Sequence, residues 1–219
     1  KDTWILASEP QKHVTLWLRS AQRGNPFNGV LPSRAAENLF WVGRYAERAE
    51  LMAHLLRTIM DIHRESERFG DESDLECLRN LLRALTHLTA TYPGFTGEGS
   101  EERFREPEKE LFSVILNPQI PGSLVSVIRA MFQAGYAVRD LWSTDTWRVM
   151  EEIEPPWTAL QNLSGLRLRR IQNELNRLIT TLMAFAGLSM ESMTRESGWL
   201  LLDIGRRLER AMLFISLLR

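Results

Sequence analysis

The sequence is poor in the features that mark secreted, membrane-spanning or nucleic-acid-binding proteins. Cys77 is its single cysteine, which excludes an internal disulfide framework and favours a reducing compartment, the cytoplasm. The formal net charge is -1, so the chain has no bulk attraction to nucleic acid or to anionic lipid. The apolar, uncharged stretch at residues 178–190 is shorter than the roughly 20 residues of a membrane-spanning helix. We therefore expect no nucleic-acid partner and no membrane span.

Motifs of catalysis and cofactor binding are equally scarce. The chain has no glycine-rich phosphate loop of known spacing, and it has no Glu-x-x-His pair of the kind that binds iron in helical bundles. Cys77 lies in an amphipathic stretch and is predicted to be a small buried apolar residue rather than a catalytic thiol. The sequence therefore predicts no catalytic residue, no metal site and no cofactor within this chain.

What the chain does contain is helical periodicity from Leu31 onward. Apolar residues recur at steps of three and four, and on the first helix they are predicted to face the core at Leu39, Val42, Ala46, Ala49, Ala53 and Leu56. Capping residues, glycines and prolines divide the chain into helices over residues 33–64, 74–91, 122–141, 144–153, 160–189 and 198 to the end, with a short helix between Pro107 and Asn117. The pattern predicts an all-α multi-helix bundle.

Two segments fall outside this periodicity. Residues 1–30 combine alternating and β-branched positions with a polar Gly/Asn/Pro stretch, which predicts a short extended tail and a linker. Residues 96–105 are rich in glycine and charge and predict a mobile loop. The chain is thus divided into a tail at 1–30 and a helical domain at 31–219.

One helical motif occurs twice. Residues 39–57 aligned with 201–219 at a constant offset of 162 give ten identities in 19 positions. The shared core is Gly-Arg-x-x-Glu-Arg-Ala, comprising Gly43, Arg44, Glu47 and Arg48 in the first copy and Gly205, Arg206, Glu209 and Arg210 in the second. Glycine inside a helix costs about 1 kcal/mol relative to alanine, so its presence at equivalent positions indicates close approach of another backbone.

The charges of the motif predict how the two copies meet. In each copy two arginines stand four residues apart, where like charges repel on a helix, and a buried glutamate needs a paired charge. We therefore predict two pseudo-symmetric motif helices that pack on each other, with Glu47 and Glu209 within reach of the arginines of the opposite copy. Two roles stay open for this group: a structural one, and the binding of an anion such as a carboxylate or phosphate.

Residues 31–50, with support from residues 121–124, 137–140 and 199–211, closely resemble the alpha-E domain family, helical bacterial proteins that are named for a recurring Glu-Arg motif. The resemblance extends over residues 31–219. Residues 1–30, with Lys1, Asp2, Thr3 and Trp4 as the clearest match, resemble the C-terminal tail of a circularly permuted ATP-grasp domain. Such domains often precede an alpha-E domain.

The resemblance implies a larger parent protein, an ATP-dependent carboxylate–amine ligase that acts in peptide synthesis or modification. ATP and magnesium would belong to its ATP-grasp part, and the attached or associated ATP-grasp domain would be the partner of this chain. Members of the family usually continue beyond the second Glu-Arg helix, so the chain is expected to be truncated at its C-terminus. Within such a parent, the helical domain is expected to be a non-catalytic accessory module or, alternatively, a substrate-binding domain whose Glu-Arg group takes part in the reaction.

Overall fold

The computed structural model describes residues 31–161 and 168–217, and every regular element in these ranges is helical. The α-helices are α1 (Ser33–Phe69), α2 (Glu72–Thr89), α3 (Ser100–Arg105), α4 (Glu108–Leu116), α5 (Leu124–Tyr136), α6 (Thr144–Glu151), α7 (Pro155–Gln161), α8 (Leu168–Ser192) and α9 (Ser197–Leu217), with a 3₁₀ turn at Arg139–Leu141. The predicted all-α fold is confirmed. The predicted extended tail at residues 1–30 lies outside the described residues.

Helix α1 is the central element of the fold. Its 37 residues span about 55 Å, and α9, α5, α8 and α2 all pack along it, α9 most extensively. Such a helix needs apolar side chains on several faces. The six residues predicted to face the core of α1 are buried, as are Met52, Ile59 and Met60. The apolar spacing of α1 therefore predicts which of its residues are buried against the neighbouring helices.

The predicted ends of the first two helices are wrong by several residues. Helix α1 continues past Arg64 to Phe69, because no helix breaker occurs before Gly70, whose N–H still bonds the carbonyl of Ser66. Helix α2 begins at Glu72 rather than residue 74, because the Asp71 side chain accepts from the Asp74 N–H and the Asp74 side chain accepts from the Asp71 N–H. It ends at Thr89, since Ala90 adopts a left-handed conformation with φ 53°.

The segment predicted as a mobile loop at residues 96–105 contains a short helix. Residues 100–105 form α3, and Phe104 of this helix stacks on the fully buried Phe95. The Arg103 guanidinium donates to the carbonyl oxygens of Gly94 and Glu98. The prediction weighed the glycines and charges but missed the aromatic pair and the arginine that tie the segment to the domain.

The predicted helix over residues 122–141 is shorter than expected. Ser123 caps α5, which ends at Tyr136, and the chain then tightens into the 3₁₀ turn. The Trp142 indole N–H donates to the carbonyl of Gly135, so a side chain bonds this carbonyl at the point where the regular helix ends. Leu124, Ile128, Met131 and Val138 are nonetheless all buried.

Two further boundaries and one burial prediction need correction. The prolines at 155 and 156 open α7 instead of only ending α6, because proline is tolerated in the first turn of a helix. The predicted helix over residues 160–189 corresponds to the end of α7 and to α8, which begins at Leu168. Cys77 is exposed rather than buried, since α2 turns Leu78, Leu82 and Leu85 inward and Cys77 lies beside that face.

None of the helices in the described ranges is long and apolar enough to cross a membrane.

Candidate functional site

Helices α1 and α9 meet at the two motif glycines, both of which are buried. A Cβ atom on Gly43 would overlap the carbonyl oxygen of Leu202, and one on Gly205 would overlap the carbonyl oxygen of Phe40. Residues 40 and 202 are equivalent at the offset of 162, so the contact is reciprocal. Backbone therefore packs directly on backbone at both positions, which explains why neither tolerates a side chain.

Glu209 of α9 is bound by the two arginines of the first motif. Arg44 Nε lies 2.6 Å from Glu209 Oε2, and Arg48 Nε lies 2.5 Å from Glu209 Oε1. The carboxylate is almost completely buried, whereas the arginine side chains are 13% and 29% exposed. One carboxylate thus bridges two guanidinium groups and offsets their mutual repulsion at a spacing of four residues.

Glu47 of α1 is bound in the same way by the second motif. Arg210 donates to both carboxylate oxygens, at 2.5 Å and 3.0 Å, and Arg206 Nε lies 3.5 Å from Glu47 Oε2. Glu47 is as deeply buried as Glu209, but the Arg210 side chain is 51% exposed. The prediction that each glutamate reaches the arginines of the opposite motif is therefore confirmed for both. We call Arg44, Glu47, Arg48, Arg206, Glu209 and Arg210 the Glu–Arg cluster.

The two halves of the cluster differ in what surrounds them. Around Glu209, Arg44 lies over the rings of Phe40 and Trp41, and Arg48 lies over Tyr45, which stacks on Trp41. The equivalent positions in the second motif are Leu202, Asp203 and Arg207, which supply no ring. Aromatic faces attract guanidinium groups and shield them from water. This difference was not predicted, because it lies in the non-identical positions of the motif.

In the half that contains Glu47, Arg210 is more exposed to solvent than either arginine that binds Glu209. The pKa of Arg210 is raised above its ordinary value, chiefly by the hydrogen bond to Glu47 and against the effect of burial, with smaller contributions from the charges of Glu47, Glu50 and Asp203. The guanidinium therefore stays charged at any physiological pH. Asp203 is itself paired with Arg207, at 2.7 Å.

The cluster suits charge pairing rather than bond-breaking chemistry. Both carboxylates are bound by arginines, and in the described part of the chain no serine, cysteine or histidine side chain bonds either of them. Cys77 lies on α2, and His54 bonds Arg57 on α1. Among residues 31–161 and 168–217, no three histidine, cysteine, aspartate or glutamate side chains are grouped as metal ligands would be. The chemistry that the cluster offers is the recognition of negative charge by arginine.

We expect Arg44→Ala to destabilise the domain more than Arg210→Ala. Arg44 is the less exposed of the two, bonds Glu209 and lies against two aromatic rings, so its loss should cost about 2–3 kcal/mol. Arg210 is half-exposed, and its pair with Glu47 is screened by solvent, so its loss should cost about 1 kcal/mol. Urea denaturation measures both.

Arg148→Ala is the control for removing an arginine, because Arg148 is 69% exposed and its one ion pair among the described residues is with Asp145. Its effect should stay within about 0.5 kcal/mol. Equal losses for Arg44→Ala and Arg210→Ala would contradict the inequality of the two halves.

The architecture defines a class of protein: an all-α domain in which a buried, reciprocal Glu–Arg cluster joins two helices that are far apart in the sequence. The chain belongs to the Alpha-E family, described as a predicted alpha-helical domain with a conserved ER motif, and the match covers residues 31–219. Glu47-Arg48 and Glu209-Arg210 are the Glu-Arg pairs that form the cluster in this chain.

Similar proteins occur in mycobacteria. Over 236 residues the chain is 30% identical to Rv2567 of Mycobacterium tuberculosis and to Mb2597 of Mycobacterium bovis, both named as uncharacterized proteins. The alignment covers the whole of this chain and 26% of either relative, so the chain spans about a quarter of their length. No solved structure matches the chain significantly.

Proposed function

We propose that this chain is a non-catalytic accessory and interaction module of a larger cytoplasmic protein, an ATP-grasp carboxylate–amine ligase that synthesises or modifies peptides. The observation that carries the non-catalytic part is the cluster itself. Its two glutamates are buried and each is bound by two arginines of the opposite motif, so neither of these two carboxylates is free for acid–base or nucleophilic work. The motif then serves to hold α1 and α9 together, and the two motif helices are two copies of one duplicated unit.

The ligase part of the proposal depends on the remainder of the protein. The resemblance of residues 1–30 to the end of a permuted ATP-grasp domain supports an attached or associated ATP-grasp partner. The greater length of the mycobacterial relatives is consistent with a multidomain parent. ATP and magnesium would be bound by the ATP-grasp part, and we assign no residue of this chain to them.

A second candidate function is the binding of an anionic substrate by the cluster. It is favoured by Arg206, whose side chain is four-fifths buried yet makes a single ion pair, at 3.5 Å, which is too long for a good hydrogen bond. Its remaining N–H groups could donate to a carboxylate or phosphate of the substrate. Under this hypothesis the domain would contribute directly to the ligase reaction.

The proposed function is tested by ATP hydrolysis and amide ligation with the full-length protein, with and without residues 31–219. We expect the intact protein to hydrolyse ATP and ligate, the deleted form to keep ATP hydrolysis but lose much of the ligation, and the 219-residue chain to do neither. ATP hydrolysis by the 219-residue chain, or an intact protein without ligase activity, would contradict the proposal.

Arg206→Ala in the full-length protein separates the two candidate functions. An accessory role predicts that ligation continues, with the Michaelis constant for the acidic substrate unchanged and a small loss of thermal stability. A substrate-binding role predicts that this constant rises by about tenfold or more while stability stays close to normal, because a charge-assisted hydrogen bond is worth about 1.5–3 kcal/mol.

A further inference from the structure

Helix α9 exposes a row of large apolar side chains. Leu200, Ile204, Leu208, Met212 and Ile215 follow one another at steps of four or three residues, which places them on one side of the helix. Each exposes between 43% and 64% of its surface. Single exposed apolar residues are common on protein surfaces, but a contiguous row of five marks an interaction site. We call these five residues the apolar row.

The apolar row is not the side of α9 that packs within the domain. That side carries Leu202, Gly205, Glu209 and Leu213, all buried, and it includes the contact with α1. Helix α9 therefore has two apolar faces. The buried one is covered by the domain, whereas the apolar row stays about half exposed in the described part of the chain, where Arg44 reaches the sulfur of Met212.

The charges beside the apolar row indicate what could cover it. Arg207 and Arg210 are 78% and 51% exposed, whereas the acidic residues of α9 are held inward, with Asp203 at 27% and Glu209 at 2%. Arg207 is paired with Asp203 and Arg210 with Glu47, but in both pairs the arginine is the more exposed partner, so the charge that faces solvent along this helix is positive. A second copy of the chain would present the same arginines, so like charges would approach each other, whereas acidic residues would complement them.

We propose that the apolar row is the docking site for an amphipathic helix that has acidic residues along one border. This chain spans 26% of the length of its mycobacterial relatives. A parent protein of that length would have most of its residues outside this chain, so we place the docking helix in the same polypeptide. Apolar side chains of this helix would cover the row, and its carboxylates would bind Arg207 and Arg210, the helix-in-groove mode of recognition.

Photo-crosslinking in the full-length protein identifies the occupant. Leu208→p-benzoylphenylalanine places the crosslinker at the middle of the row, and Leu75→p-benzoylphenylalanine on α2, a residue with similar exposure (48% against 43%), is the control. We expect an intramolecular adduct from position 208 to an acidic amphipathic segment, and no such adduct from position 75. An adduct with a second copy, an adduct with a different protein, or no adduct above the control would overturn the proposal.

Thermal denaturation gives a second measurement. Leu208→Glu should lower the melting temperature of the full-length protein by about 5 °C or more, and it should leave the 219-residue chain nearly unchanged, because only the longer protein carries the occupant. Leu75→Glu should change neither protein. Equal shifts for Leu208→Glu in the two proteins would overturn the proposal. The inference does not rest on the ligase activity, since neither measurement involves ATP or a substrate.

Discussion

Gly43→Ala is expected to lower the free energy of unfolding by about 3 kcal/mol and the melting temperature by roughly 6–12 °C. The added methyl group would overlap the backbone carbonyl of Leu202, which has no rotamer through which it could move aside. Helices α1 and α9 would have to separate, and the hydrogen bonds between the Glu–Arg cluster residues would lengthen with them. Calorimetry of the purified chain measures the shift.

Gly187→Ala is the matched control, because Gly187 also lies inside a helix but a Cβ atom there would contact nothing within 4 Å. Alanine has the higher helix propensity, so this variant should be stabilised by about 0.5–1 kcal/mol. The two substitutions are chemically identical and are expected to have opposite signs. A Gly43→Ala variant as stable as Gly187→Ala would refute the close backbone contact.

Gly205→Ala should behave like Gly43→Ala, since it meets the carbonyl of Phe40 in the reciprocal contact. The double variant should cost clearly less than the two single losses added together, because the first methyl group already separates the helices and makes room for the second. Additive losses would indicate that the two glycines act at independent sites.

Glu209→Gln is expected to destabilise the domain by about 3 kcal/mol. The substitution keeps the shape of the side chain but removes the charge that Arg44 and Arg48 share, and it turns an amide N–H₂ group toward guanidinium donors. Glu47→Gln should cost less, about 2 kcal/mol, because solvent reaches Arg210 and partly replaces the lost carboxylate. Chemical denaturation of both variants measures the difference.

Glu101→Gln supplies the control for removing a carboxylate, since Glu101 pairs with Arg79 at the surface with 61% of its side chain exposed. Its effect should be within about 0.5 kcal/mol. If Glu209→Gln were as mild as Glu101→Gln, the cluster would not hold the domain together, and the substrate-binding hypothesis would become the better account of its arginines.

The site could be predicted from the sequence because several unfavourable choices coincide. A helical glycine and a pair of arginines four residues apart are each unfavourable, and both occur at 43–48 and again at 205–210. One arrangement offsets these costs, namely two helices in close contact with exchanged charges, and this is the arrangement that the structure shows. The rings beside Arg44 and Arg48 escaped prediction because the comparison used only identical positions.

Helices and their buried residues could be predicted where the apolar periodicity is strong. They were predicted less well where contacts between separate segments determine whether a helix forms. The core residues of α1 follow from spacing alone, because burial on one side of a helix repeats every three or four residues. The helix at residues 100–105 depends on contacts with Phe95 and Gly94, which no local pattern contains. Cys77 shows the limit of spacing, since a shift of one residue from Leu78 turns a side chain through about 100° and out of the core.

The partners in the Glu–Arg cluster are separated by about 160 residues of chain. During synthesis the α1 side of this contact therefore stays unpaired, with Gly43 and Glu47 uncovered, until the ribosome has released the residues of α9. During that time, α9 of a neighbouring nascent molecule can pack on the uncovered side of α1 and make the same contacts as α9 of the same molecule. Exchange of α9 between molecules is thus the misassembly to which this architecture is most open, and dilute refolding conditions should suppress it.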